Sequence, residues 1–381
     1  MRIRLSTLWP AVLIVCAAAA CAAPQTGRAR GKSVVLVTLD GARWQDVFDG
    51  MDESLLRASA AKDADVTTSS EYKQFSGASP SERRERLMPF LWRTFLVDHG
   101  FIAGDRGAGS VVSVTNRLWF SYPGYSEILT GQAHDETIKT NDAIRNPFPS
   151  VLQFVRRKLQ LAPADVATFA SWGVFNEIVE SERGATTVNA GVAPYESEAS
   201  DVRALNAVQR ETPTGWGNTR RDAYTFRFAL DYLKRAHPRM LYIAFDETDD
   251  WAHEGHYDLV LDMLNRTDGY LKELWDTLQA DPVYRGMTTL IVTTDHGRGR
   301  TVDDWTKHGK DVSGADEIWM AIASPDSARR GLWRDHPPLF QNQIAATIAA
   351  ALGLDYREQN PHAGQAVPLA DVALHEPRRH D

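Results

Sequence analysis

Three apolar, β-branched runs in this chain each stop on an acid: Ser33 to Leu39 before Asp40, Met240 to Phe245 before Asp246, and Leu290 to Thr294 before Asp295. Runs this short and this continuously apolar predict strands buried on both faces. Two further strands are expected at Val111 to Val114 and Val166 to Ala170, and a last one at Glu317 to Ala323. Apolar residues spaced at three and four predict helices over Leu87 to Gly100, Pro149 to Leu159, Val174 to Ser181, Arg221 to Ala236, Asp258 to Leu278 and Leu339 to Leu352, with Gly100 and Gly353 as stops. Strands that alternate with helices in this way build a mostly parallel α/β sheet. Residues 51–86, rich in Ala, Ser and charge, lack a period and read as a surface insertion; residues 183–219, rich in Gly, Thr and Asn, read as a lid or rim with one helical patch.

The first residues follow another logic. Arg2 and Arg4 precede an apolar segment from Leu8 to Ala20, too short for a membrane span and typical of an export signal. Ala18-Ala19-Ala20-Cys21 resembles a bacterial lipobox, in which cleavage leaves a cysteine for lipid attachment, whereas cleavage after Ala23 would put Pro24 first. The expected organisation is a signal peptide over residues 1–21, a linker over 22–32 and one catalytic domain over 33–375. Cys16, the only other cysteine, lies in the signal, so the mature chain has no disulfide and core size must supply its stability. At 381 residues and 43% hydrophobic residues, the chain is long enough to bury such a core. A formal charge of −8, with no basic run interleaved with aromatics, excludes a nucleic-acid binder; Arg83-Arg84 and Arg156-Arg157-Lys158 read as solvated helix faces.

Ligands of open parallel sheets sit beyond the carboxyl ends of the strands, where Asp40, Asp249 and Asp295 all fall. Three carboxylates converging in a dry crevice either take up protons or bind cations. Histidines favour cations here: His296 adjoins Asp295, His253 follows Asp249 by four residues on one helix face, and His308 lies twelve beyond His296. Imidazole with carboxylate is a ligand set for zinc, or for manganese where oxygen dominates. Asp246, Asp250 and His256 stand as alternatives in the same loop. Asp295 and His296 reach one ion only if the chain turns, which Gly297 permits. Between Trp119 and Gly131, a Pro123-Gly124 turn is expected to place Ser126 at the start of a short helix.

Taken in order, an aspartate after the first strand, a hydroxyl at a helix start, Asp-x-x-x-His, Asp-His-Gly and a final His resemble the alkaline phosphatase superfamily, closest to its nucleotide pyrophosphatase/phosphodiesterase branch. Asp40-Gly41-Ala42-Arg43, Thr130-Gly131 and Asp268-Gly269-Tyr270-Leu271 match that branch, and the likeness spans Val34 to Ala323. The resemblance implies a three-layer αβα sandwich with two divalent ions, zinc first and manganese second. Asp249, His253 and His308 would hold one ion, and Asp40, Asp295 and His296 the other with Ser126, the expected nucleophile. Asn141 would hold a phosphoryl oxygen, with Asn146 and Asn116 in competition, and Ser121 is the alternative to Ser126. Ser121-Tyr122-Pro123-Gly124-Tyr125 lacks the arginine of a sulfatase's Cys-x-Pro-x-Arg, which disfavours that branch. The implied protein is an exported, lipid-anchored hydrolase of small phosphoric esters facing the periplasm or cell exterior. A phosphonate hydrolase or phosphoryl transferase on the same core, and a noncatalytic metal-stabilised envelope binding protein, are the competing readings.

Overall fold

The computed structural model describes residues 31–369, so the signal, Cys21 and most of the linker lie outside the described residues. Ten strands are present among them: β1 (Ser33–Leu39), β2 (Gly100–Ala103), β3 (Val112–Ser113), β4 (Val166–Ala170), β5 (Thr187–Ala190), β6 (Met240–Phe245), β7 (Thr288–Thr293), β8 (Met320–Ala323), β9 (Gly331–Leu332) and β10 (Leu339–Phe340). Eight form one sheet in the order β5-β4-β6-β1-β7-β8-β2-β9, while β3 and β10 pair separately. Every neighbouring pair in the large sheet is parallel except the two made by β8.

The three runs that end on acids are the adjacent central strands β6, β1 and β7. Their side chains alternate between two cores, as the two-residue period of a strand requires. Val35, Val37, Leu39, Ile243 and Val292 enter one core with Val47, Leu230, Leu261 and Leu271, from the helices Trp44–Asp49, Asp222–Ala236 and Tyr257–Ala280. Val34, Leu36, Tyr242 and Ile291 enter the other with Tyr125, Leu152 and Ile348, from the helices Ser121–Thr130, Val151–Lys158 and Ile344–Ala351. This is the expected three-layer αβα sandwich. Uninterrupted apolarity in these strands follows from having helices on both sides.

Elsewhere the pattern misled. Residues 51–86 are not featureless: Glu53–Ser59, Ser70–Phe75 and Pro80–Leu87 are short helices, each opened by a side-chain cap from Asp52, Ser69 or Ser79. Each buries only one or two apolar side chains, too few to show a period. Residues 183–219 supply the edge strand β5 and the helix Ser200–Glu211 as well as surface loop. The helix expected from Leu87 is a π-wound turn over Leu91–His99, and Gly100 opens β2 as well as closing the helix. A Cβ at Gly100 would stand 2.6 Å from the Ile322 carbonyl, so the close pairing of β2 with β8 requires glycine there. The expected closing helix begins as β10, passes through a 3-10 turn at Gln341–Gln343 and becomes α-helical only at Ile344.

Candidate metal centre

Because β6, β1 and β7 are neighbours and point the same way, Asp249, Asp40 and Asp295 meet beyond their carboxyl ends. Gly41, with φ +57°, turns the chain after Asp40, and a Cβ there would stand 2.6 Å from Asp249 Oδ1 and 3.2 Å from His296 Cε1. Any other residue would intrude among the acids. The helix Glu247–His253 brings His253 Nε2 to 3.1 Å from Asp249 Oδ2 through their i,i+4 spacing. Asp295 and His296 lie past the end of β7 at Thr293, and this lets adjacent residues face one point. The chain leaves the strand here without a positive φ at Gly297; a Cβ there would stand 2.3 Å from the Gly314 carbonyl and 2.4 Å from that of Glu317. Close backbone approach is its role.

Six of the seven metal ligands expected from the sequence gather here, and Ser126 does not. Asp249, His253 and His308 form one group and Asp40, Asp295 and His296 a second, the ligand atoms of each lying within 4.8 Å of one another. His296 Nδ1 donates to the Gly297 carbonyl at 2.8 Å, which turns Nε2 toward the acids. That Nε2 stands 3.3 Å from Asp40 Oδ1, 3.5 Å from Asp295 Oδ2 and 3.7 Å from Asp249 Oδ1. His253 and His308 turn their Nε2 atoms to 2.9 Å from each other. The alternatives stay outside both groups: Asp246 and Asp250 interact with each other, and His256 faces Asp258 at 3.7 Å.

Electrostatics favour cations. Burial, then the charge of Asp249, pushes the Asp40 carboxyl well above the usual carboxylate range, and burial, then Asp40, does the same to Asp295. Burial acts most strongly on Asp249 too, but the Arg298 guanidinium together with His253 and His308 outweighs it and holds that carboxyl well below the range. Burial, then the neighbouring His296, lowers His308 to about 2, so it is present as the neutral, ligand-competent imidazole. Asp295 Oδ2 is buried without a hydrogen-bond partner. Three carboxylates against one guanidinium, with an orphaned oxygen and imidazole nitrogens turned inward, fit two divalent cations.

Ser126 is not part of this cluster. The helix begins at Ser121, with Pro123 and Gly124 inside its first turn, where proline's missing N–H costs no hydrogen bond. Ser121 Oγ lies 3.4 Å from His296 Nε2 and 3.5 Å from Asp40 Oδ1. Five residues on, Ser126 is turned about 140° around the axis and about 7.5 Å along it, and it receives the Asn146 amide at 3.2 Å in the core. A Cβ at Gly124 would stand 2.4 Å from the Asp295 carbonyl, so this glycine lets the helix start press against the metal loop. Trp119, at φ +56°, holds the strained turn before Ser121, with Asn116 Oδ1 accepting from the Leu118 and Trp119 amides. Asn116 and Asn146 thus spend side-chain hydrogen bonds on this turn and on the helix core. Asn141 accepts from the Tyr122 amide at 2.9 Å, beside Ser121.

A family model described as the metalloenzyme superfamily matches residues 81–355. This chain belongs to that superfamily, the alkaline-phosphatase-like metalloenzymes. Its members are metal-dependent hydrolases and transferases, and membership implies divalent metal ions in the centre. No curated protein matches by sequence. Similar solved structures include an alkaline phosphatase superfamily protein from Vibrio parahaemolyticus, at 12% identity and TM-score 0.52 over 90% of this chain and 71% of that one. The phosphonate monoester hydrolase SpPMH of Silicibacter pomeroyi aligns at 12% identity and TM-score 0.51, over 88% and 76%. The lipoteichoic acid synthase LtaP of Listeria monocytogenes aligns at 9% and 0.53, over 86% and 74%. At these identities the likeness is one of fold.

Within this superfamily fold, several residues that sequence reasoning passed over support the centre. Tyr125 donates its hydroxyl to Asp40 Oδ2 at 2.9 Å, and Thr248 donates to the Asp40 carbonyl at 2.5 Å. Gln341 Nε2 donates to the carbonyls of Thr294 and Asp295 at 3.1 and 2.6 Å, tying the metal loop to the closing segment. Arg298, 1% exposed, binds the Asp249 carboxylate and its carbonyl and donates to the Thr306 carbonyl at 2.8 Å. An arginine immediately after Asp-His-Gly was the visible signal for it.

Proposed function

We propose that this chain is an exported two-metal hydrolase of phosphoric esters in which Ser121 is the nucleophile. The reading rests on one observation: the Ser121 hydroxyl stands at a helix N-terminus within 3.5 Å of both Asp40 and His296. When bound, two divalent cations, zinc first and manganese second on this ligand chemistry, would polarise the phosphoryl group and ease loss of the serine proton. The helix start adds positive potential where an alkoxide develops. Asn141 spends its Oδ1 on the Tyr122 amide, which frees its Nδ2 to donate to a phosphoryl oxygen. Ser121 Oγ, its proton passed to solvent, then attacks phosphorus, the bond to the departing alcohol oxygen breaks, and the alcohol takes a proton from solvent. Water displaces the serine from the phosphoserine and restores the hydroxyl. Export and anchoring through Cys21 belong to the same proposal, supported by the lipobox, and mass spectrometry of the mature N-terminus tests them; a soluble protein starting beyond Cys21 refutes the anchor.

Purified protein loaded with zinc or manganese should hydrolyse aryl phosphate mono- or diesters. Ser121→Ala should lose nearly all turnover, and acid-quenched wild type should carry a phosphoryl group on Ser121. Full activity in Ser121→Ala, or preference for sulfate esters in a matched series, would overturn this assignment.

A further inference from the structure

The two ligand groups of the metal centre have unlike surroundings. Asp40, Asp295 and His296 are all buried, whereas His253 in the other group is 47% exposed, so one group is inner and the other outer. The inner group carries two carboxylates, and uncharged donors hold them: the Tyr125 hydroxyl on Asp40 at 2.9 Å and the Gly41 amide on Asp295 at 3.0 Å. The outer group carries one carboxylate, and a cation holds it. Arg298 Nη2 binds the Asp249 carboxylate, and the same buried guanidinium is fixed by the carbonyls of Asp249 at 3.1 Å and Thr306 at 2.8 Å. Two negative charges therefore meet an inner ion, while the one charge that meets an outer ion is already matched by Arg298.

The histidines differ in the same sense. His296 Nδ1 bonds to the Gly297 carbonyl at 2.8 Å, the kind of second partner that orients a metal-bound imidazole. His308 Nδ1 is buried with no hydrogen-bond partner. Lack of such a partner costs about 10- to 100-fold in metal affinity. A unit positive charge about 5 Å from a divalent cation costs a further tenfold or so even at the dielectric constant of water, and more in a partly dry site. A guanidinium stays charged at any pH a protein meets, so deprotonation cannot relieve that repulsion.

We propose that Arg298 makes the two metal positions unequal: the inner ion, on Asp40, Asp295 and His296, is retained, while the outer ion, on Asp249, His253 and His308, is weakly held and exchanges with free divalent cations. Arg298 acts as a positioning residue. It anchors Asp249 and, through the Thr306 carbonyl, the segment that leads to His308, and its charge lowers the affinity for the ion those ligands receive. Ser121 stands beside Asp40 and His296, so the serine keeps its place on the inner group when the outer ion leaves. The proposal rests on the two ligand groups and holds whichever ester is cleaved.

The full chain, freed of metal by chelation, is titrated with zinc in competition with a chromogenic chelator, and its metal content is measured after dialysis against metal-free buffer. Wild type should take up zinc in two steps whose affinities differ by about 100-fold or more, and dialysis should leave one ion per chain. His253→Ala, at the exposed ligand, should remove the weak step and keep the tight one. Arg298→Gln should tighten the weak step by about tenfold or more with the tight step unchanged, whereas Arg298→Lys, which keeps the charge, should not tighten it. A role confined to holding the loops gives the opposite sign, because a released Asp249 and His308 would bind the outer ion less well. Arg298→Met, which keeps the aliphatic stem, stands in if Arg298→Gln fails to fold, and wild type and His253→Ala test the inequality without either. Equal steps in wild type, a weak step that survives His253→Ala, or an outer step unchanged or weakened in Arg298→Gln overturns the proposal. Two unequal steps in a chain that hydrolyses no phosphate ester refute the hydrolase reading alone.

Discussion

Gly124 offers a test of how tightly the proposed nucleophile, Ser121, is placed. A Cβ added there would stand 2.4 Å from the Asp295 carbonyl oxygen, where ordinary contact begins near 3.4 Å, so the helix start must retreat from the metal loop by about 1 Å. Ser121 lies one turn earlier on that helix and moves with it. Misplacement of a reacting group by about 1 Å costs on the order of 100-fold in rate. Stability should change far less: alanine gains up to about 1 kcal/mol over glycine in a helix, against roughly 1–3 kcal/mol for overpacking. The control is Gly269→Ala, an exposed mid-helix site with nothing within 4 Å of the added Cβ. It should gain about 0.5–1 kcal/mol with turnover unchanged. Steady-state hydrolysis of a chromogenic phosphate ester by metal-loaded protein, with urea unfolding of the same samples, reads both quantities. Turnover in Gly124→Ala within about threefold of wild type would refute the argument that this close contact sets the position of Ser121.

Ser126→Ala breaks the 3.2 Å bond from Asn146 and should cost about 1 kcal/mol while turnover survives; loss of turnover in a folded variant would return the serine to the chemistry. Asp295→Asn keeps an acceptor for the Gly41 amide but removes one ligand charge, so metal content by elemental analysis should fall from two ions toward one, and two ions retained at wild-type affinity would contradict the ligand assignment. Asp268 accepts from the amides of Phe90 and Leu91 at 2.7 and 2.8 Å, yet burial pushes its carboxyl up to about 7. The folded chain therefore holds a proton that the unfolded chain releases near pH 3.9, so its contribution to stability is greatest below about pH 4 and declines as pH rises through 7, by at most about 4 kcal/mol. Urea unfolding of wild type and Asp268→Asn at pH 5 and pH 8 checks this, since the advantage of wild type should shrink at the higher pH; an unchanged difference would show that the two amides offset the burial.

Much of the centre was legible before any fold was known, for physical reasons that act locally. A strand covered by helices on both sides has to be apolar throughout, so β1, β6 and β7 stood out from composition alone, and the acids at their ends marked the rim of the sheet. Asp249 and His253 share a helix face by spacing, and imidazole with carboxylate names its own chemistry. These are properties of residue type and short-range order. Strands such as β2 and β5, four residues each, carried no such signal, because their pairing partners supply what their own sequence lacks. The choice between Ser121 and Ser126 was likewise not local. Pro123-Gly124 is compatible both with a turn before a helix and with the first turn of one, and the two placements differ by about 140° about the helix axis. Contact between Gly124 and the Asp295 carbonyl, across 171 residues of chain, sets which serine stands beside Asp40 and His296. The same holds for the partners of Asn141 and Asn146: each depends on what other segments bring alongside, which no stretch of sequence contains by itself.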